Sequence, residues 1–169
     1  MTDIEDLYKR YAADVRRFAL YLCGNALMAD DITSDTFVRA WLSAAPIRQP
    51  TVKSYLFTIA RNAYTDLLRR AARHTQLDDN MPDHHISPHT QMEQRAEVRA
   101  VLDALQQLPE IDRTMLLMRA LDEMPYEEIA QTLGIPVVTA KVRVHRARLK
   151  LMQTRKEWRE IVPAAGAKP

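Results

Sequence analysis

The chain has 169 residues, 47% of them apolar, which excludes global disorder and allows one ordinary domain or two small ones. Its net charge of +2 marks no partner by itself, and a single cysteine excludes an intramolecular disulfide and fits a reducing compartment. Only three glycines occur against many Ala, Leu, Arg, Met and Gln, a composition of helix formers that predicts an all-α protein.

Ile4, Leu7, Tyr8, Tyr11, Val15, Phe18 and Leu22 step by three and four residues and predict a first amphipathic helix, ended by Gly24-Asn25. Cys23 sits in an apolar stretch and reads as a buried structural thiol. A second helix is expected from about Ala29 to Ala44, with Asp30, Asp31 and Asp35 in its first turns, where negative charge suits the macrodipole. Pro46 and Pro50 break it. The third, from about Val52 to Arg73, places Leu56, Ile59, Ala60, Ala63 and Leu67 on its core face and ends in Arg69, Arg70 and Arg73.

Residues 75 to 95 turn polar and proline-broken and read as a flexible linker between two units, 1–74 and 96–158, with a tail at 159–169. His74, His84, His85 and His89 lie in and beside this stretch without a partner cysteine or a zinc spacing, so no metal or other cofactor is expected. Helical spacing returns at Val98, Val101, Leu102 and Leu105, and a further helix covers about Glu110 to Leu121. Tyr126 to Thr139 then reads as a short helix, a Gly134 turn and the start of a long helix reaching about Trp158: a helix-turn-helix.

On that last helix Ala140, Val144, Ala147 and Leu151 form an inner face. Thr139, Lys141, Val142, Arg143, His145, Arg146 and Arg148 are left outward, and seven Lys/Arg with no acid lie between Lys141 and Lys156. Early outward positions on such a helix can reach base edges, and flanking cations can hold phosphates. DNA binding is the function this pattern supports.

Leu108-Pro-Glu-Ile-Asp-Arg113, Pro125 to Pro136 and Thr139 to Arg148 resemble the fourth domain of extracytoplasmic-function (ECF) sigma factors. Ala29 to Trp41 and Tyr55-Leu-Phe-Thr-Ile-Ala-Arg-Asn62 resemble their second domain. The resemblance implies that Asp30, Asp31, Ser34, Asp35 and Phe37 dock on the clamp of core RNA polymerase. It implies that Tyr55, Arg61 and Asn62 meet the minus-ten element; Tyr55, Phe57 and Tyr64 offer aromatic surface for an unstacked base, and some of the three must instead be core. The last helix would read the minus-thirty-five element, Lys141, Val142 and His145 at bases and Arg143, Arg146 and Arg148 at the backbone. An anti-sigma factor as a further partner and the absence of enzymatic activity follow from the same resemblance; the lone cysteine fits the cytoplasm, and no apolar run approaches the length needed to span a bilayer, so no membrane insertion is expected.

Four positions depart from the family pattern. Val138 stands for a common glycine, Val142 for a common serine, and Ser34 for a common glutamine. Pro125 replaces a usual capping serine, though proline is tolerated in a first helical turn. An autonomous helix-turn-helix regulator would need only the C-terminal half, and a metal hydrolase would need a carboxylate–histidine constellation that the sequence lacks.

Overall fold

A computed structural model describes residues 3–43, 49–77 and 96–154. The described residues form helices and no strand: α1 (Ile4–Cys23), α2 (Ala26–Leu42), α3 (Val52–Leu77), α4 (Ala96–Gln106), α5 (Glu110–Asp122), α6 (Tyr126–Leu133) and α7 (Val137–Thr154). The expected linker and tail lie largely outside these residues, as do three of the four histidines proposed against a metal site; the fourth, His74, is exposed on α3.

Local chemistry sets the boundaries. Asp3 caps α1 by accepting from the Glu5 amide at 3.3 Å. Gly24 ends the same helix in the left-handed region, φ +74°, with its amide donating to Leu20 O. Asn25 caps α2, its Oδ1 accepting from the Met28 amide at 3.0 Å. The second helix therefore begins three residues before the expected Ala29, and its first turn holds no acid. Asp30 answers to Arg16 of α1 instead, at 2.7 Å. The third helix starts on a reciprocal cap, in which the Ser54 amide donates to Thr51 Oγ1 and the Thr51 amide to Ser54 Oγ, both at 3.1 Å. It runs to Leu77, past the expected end at Arg73.

Helices α1, α2 and α3 pack around Phe18, which stacks on Phe57 with ring centroids 4.4 Å apart. Leu22, Ile32, Leu56 and Ala60 close this core. In the C-terminal half, α7 lies across α5 and α6 and buries Ala140, Val144, Ala147 and Leu151, the inner face expected from its spacing. Arg119 sits over the Tyr126 ring, 4.8 Å from its centroid, and donates to Met124 O, tying α5 to α6.

The two helical units meet. Helix α1 contacts α4 and α5, and α3 contacts α6. Arg113 of α5 is the centre of the junction. Its guanidinium is buried and donates to Leu22 O (2.6 Å), Tyr64 Oη (3.2 Å), Leu105 O (3.0 Å) and Leu108 O (3.1 Å). Leu22 and Leu105 lie in the last turns of α1 and α4, so the cation rests on the negative ends of two helices. Four carbonyl and hydroxyl acceptors offset a desolvation that would otherwise cost several kcal/mol.

Ion pairs surround that centre. Arg61 of α3 grips Glu110 of α5 with Nε at 2.7 Å and Nη2 at 2.9 Å. Lys53 and Arg17 converge on Asp122 at 3.4 and 3.5 Å, and Lys53 also reaches Asp14 at 3.2 Å. The Asp122 side chain is only 2% exposed and its Oδ2 has no hydrogen-bond partner among the described residues. Burial raises its carboxyl above the ordinary range, against the pull of Lys53 and Arg17. Burial works against the Lys53 ammonium too, yet the Asp14 and Asp122 carboxylates outweigh it and raise that group.

Candidate nucleic-acid and polymerase interfaces

Gly134 ends α6 in the left-handed region, φ +67°, and Ile135 then donates back to Ala130 O at 3.0 Å. No atom would obstruct a Cβ on Gly134, so backbone strain alone asks for glycine here. This turn presents the start of α7 outward. Thr139, Lys141, Val142, His145 and Arg146 are exposed, and Lys141 and Arg146 make no ion pair among the described residues. Two of the expected DNA cations are engaged elsewhere. Arg143 Nε stands 3.3 Å from Asp112 Oδ1, close enough for an ion pair but off line for a hydrogen bond. Arg148 is half-buried.

The expected minus-ten residues divide. Asn62 is exposed in the middle of α3, and its side chain makes no hydrogen bond among the described residues, so it caps nothing. Tyr55 is half-buried. Arg61 is half-buried with its guanidinium committed to Glu110. Phe57 and Tyr64 are core: Phe57 is the stacking partner of Phe18 and Tyr64 accepts from Arg113. Neither offers the aromatic surface expected for a base, because both point inward from the helix face that meets α1 and α5.

On α2 the docking residues also separate by face. Phe37 is buried, edge-on to Tyr8 with centroids 5.0 Å apart, and it positions the helix rather than meeting a partner. Asp30 pairs with Arg16 and Asp35 with Arg39 at 2.9 Å. Asp31 and Ser34 are exposed, and between and beside them stand Leu27, Val38 and Trp41 at helical spacing, Trp41 69% exposed. The sequence marks Val38 and Trp41 as apolar but does not show that they face outward. An exposed apolar patch rimmed with acid has the character of a protein-docking surface.

A glycine-turned helix pair presenting an exposed basic helix defines a helix-turn-helix DNA-binding protein, here joined to a second helical unit with an apolar-acidic face. Comparison with known proteins is specific about both units. The family model "Sigma-70 region 2" matches residues 7–74 and "Sigma-70, region 4" matches residues 98–151. The ECF RNA polymerase sigma factor SigM of Bacillus subtilis is 29% identical over 88% of this chain and 92% of its own length. The ECF sigma factor SigL of Mycobacterium tuberculosis is 31% identical over 89% and 88%. The ferric citrate uptake sigma factor FecI of Escherichia coli is 32% identical, covering 85% of each. Among solved structures, the sigma factor RpoE in complex with the anti-sigma factor NepR from Bartonella quintana superposes with a TM-score of 0.77 and 25% identity, over 92% of this chain and 98% of that one. CnrH in complex with the cytosolic domain of CnrY gives 0.65 and 27%, over 89% and 85%. The chain belongs to the ECF sigma factors of the sigma-70 family. No helix among the described residues is long and apolar enough to cross a membrane.

Proposed function

We propose that α2 docks this chain on core RNA polymerase through Asp31, Ser34 and the exposed apolar residues beside them, while α7 reads the minus-thirty-five box and α3 the opened minus-ten strand. Direction of polymerase to promoters is the activity of the family, and the assignment of residues is our own. The observation that carries it is the pairing of two different faces in one chain: an apolar-acidic helix face suited to protein and a basic helix suited to DNA. An autonomous regulator has use only for the second. The chain would act in the cytoplasm, perform no covalent chemistry of its own and leave nucleotide addition to the polymerase.

RpoE was solved bound to the anti-sigma factor NepR and CnrH bound to the cytosolic domain of CnrY, and we extend an anti-sigma partner to this chain. An anti-sigma factor covering α2 would compete with polymerase for the same residues. The test is assembly with core polymerase. Asp31→Arg places a cation on the exposed face of α2 without touching its buried residues. It should leave melting unchanged and weaken holoenzyme formation by about tenfold, since like-charge contacts at an interface cost a kcal/mol or more. Normal assembly of this variant would remove α2 as the docking helix.

A further inference from the structure

The outermost line of α7, opposite its buried face, is not basic. Val138, Val142, His145 and Leu149 follow one another at steps of four, three and four residues, and all are exposed. Val138 is 72% exposed and Val142 41%. The cations lie to either side of this line, Lys141 on one flank and Arg146 on the other. Two β-branched residues at the start of a helix add nothing to its propensity, and neither belongs to the core. They form an apolar ridge set between positive flanks.

Charge decides the occupant. Flanking Lys141 and Arg146 suit a polyanion, and the helix-turn-helix arrangement brings the first turns of α7 to the floor of a major groove. The thymine C5-methyl is the apolar group on that floor. Valine cannot donate or accept a hydrogen bond, so it gains nothing from guanine, cytosine or adenine edges. We propose that Val138 and Val142 read thymine methyl groups in the upstream promoter box, a specificity that rests on α7 being the DNA-reading helix. Side chains four residues apart on a helix stand about 6 Å apart. The two methyls therefore belong to neighbouring or next-neighbouring base pairs.

The experiment uses the full chain assembled with core polymerase and a duplex pool randomised across the upstream box. Enriched boxes should carry thymine at one or two closely spaced positions. The enriched box is then synthesised with deoxyuridine for thymidine, which removes the methyl and keeps every hydrogen-bonding group. Each replacement at those positions should weaken binding about fourfold, the worth of one buried methyl. The Val138→Ala, Val142→Ala double variant should bind the thymine and uracil boxes alike. Because both side chains are exposed, its melting temperature should not fall. Equal binding of the two boxes by the parent chain, or an undiminished preference in the double variant, would overturn the proposal while leaving promoter recognition by α7 intact. Failure to enrich any box would overturn the DNA-reading assignment of α7 itself.

Discussion

Arg61 and Glu110, one in each helical unit, face one another through two parallel hydrogen bonds of 2.7 and 2.9 Å. The residue expected to meet minus-ten DNA is thus held by a carboxylate that occupies the place a phosphate would take. Both side chains are about three-quarters buried, so solvent screens the pair only in part. A double-mutant cycle with Arg61→Ala and Glu110→Ala should give a coupling of about 1–2 kcal/mol in denaturant unfolding. Glu110→Ala should also strengthen binding of single-stranded minus-ten DNA by the free chain about tenfold. Unchanged DNA binding would show that Arg61 has no part in it.

Arg113 carries the junction more heavily. Arg113→Met keeps much of the side-chain volume and removes every donor, leaving Leu22 O, Leu105 O and Leu108 O without this partner. Losing hydrogen bonds from a buried charged donor should lower stability by about 2–4 kcal/mol. Because the donors tie α1 to α4 and α5, the single unfolding transition should separate into two. A single transition at the parent midpoint would mean that the units do not depend on this residue.

The carboxylate of Asp122 acts in the opposite sense. Its native pKa is raised by burial, so the folded state holds the proton more tightly than the unfolded chain does. Its contribution is therefore full below the ordinary value of 3.8 and is lost as pH rises through the raised native value. Asp122→Asn should flatten the pH dependence of the melting temperature over that window and leave stability near neutral pH equal to or above that of the parent. A sharp loss of stability at neutral pH would show that Lys53 and Arg17 compensate the buried charge fully.

Asn62 separates reading from folding. It is exposed and caps no helix, so Asn62→Ala should leave the melting temperature unchanged. Loss of one base contact should weaken preference at one minus-ten position by about 1–3 kcal/mol, with closed complexes forming normally. Permanganate footprinting across minus-ten variants reads this directly, and unaltered opening on every variant would remove Asn62 as a reader.

The inner face of α7 and both glycine turns were legible because they depend on residues three or four apart. Ala140, Val144, Ala147 and Leu151 announce themselves by spacing, and Gly134 by the absence of a side chain. The start of α2 was misplaced because Asn25 serves as its N-cap, whereas beside Gly24 it reads only as the end of α1. Phe57 and Tyr64 are aromatic on any reading, and only the approach of α1 and α5 decides that they are core. The junction was not legible at all. Arg61 meets Glu110 across 49 residues and Arg17 meets Asp122 across 105, and no periodicity relates such pairs.

The closed junction has a consequence of scale. The two promoter boxes are about 25 base pairs apart, roughly 85 Å along the duplex. A packed chain of this length has a diameter of only about 40 Å. If α3 and α7 read the two boxes as proposed, the arrangement centred on Arg113 cannot touch both at once, and the promoter-bound state would have its two halves parted. Free chain would then divide between a shut form and an open one, with polymerase drawing on the open fraction. If the shut form outnumbers the open by a hundred to one, apparent affinity for polymerase falls about a hundredfold below the intrinsic value. On that reading the contacts of Arg113 and Arg61 at the junction set how much of the free chain is available to polymerase.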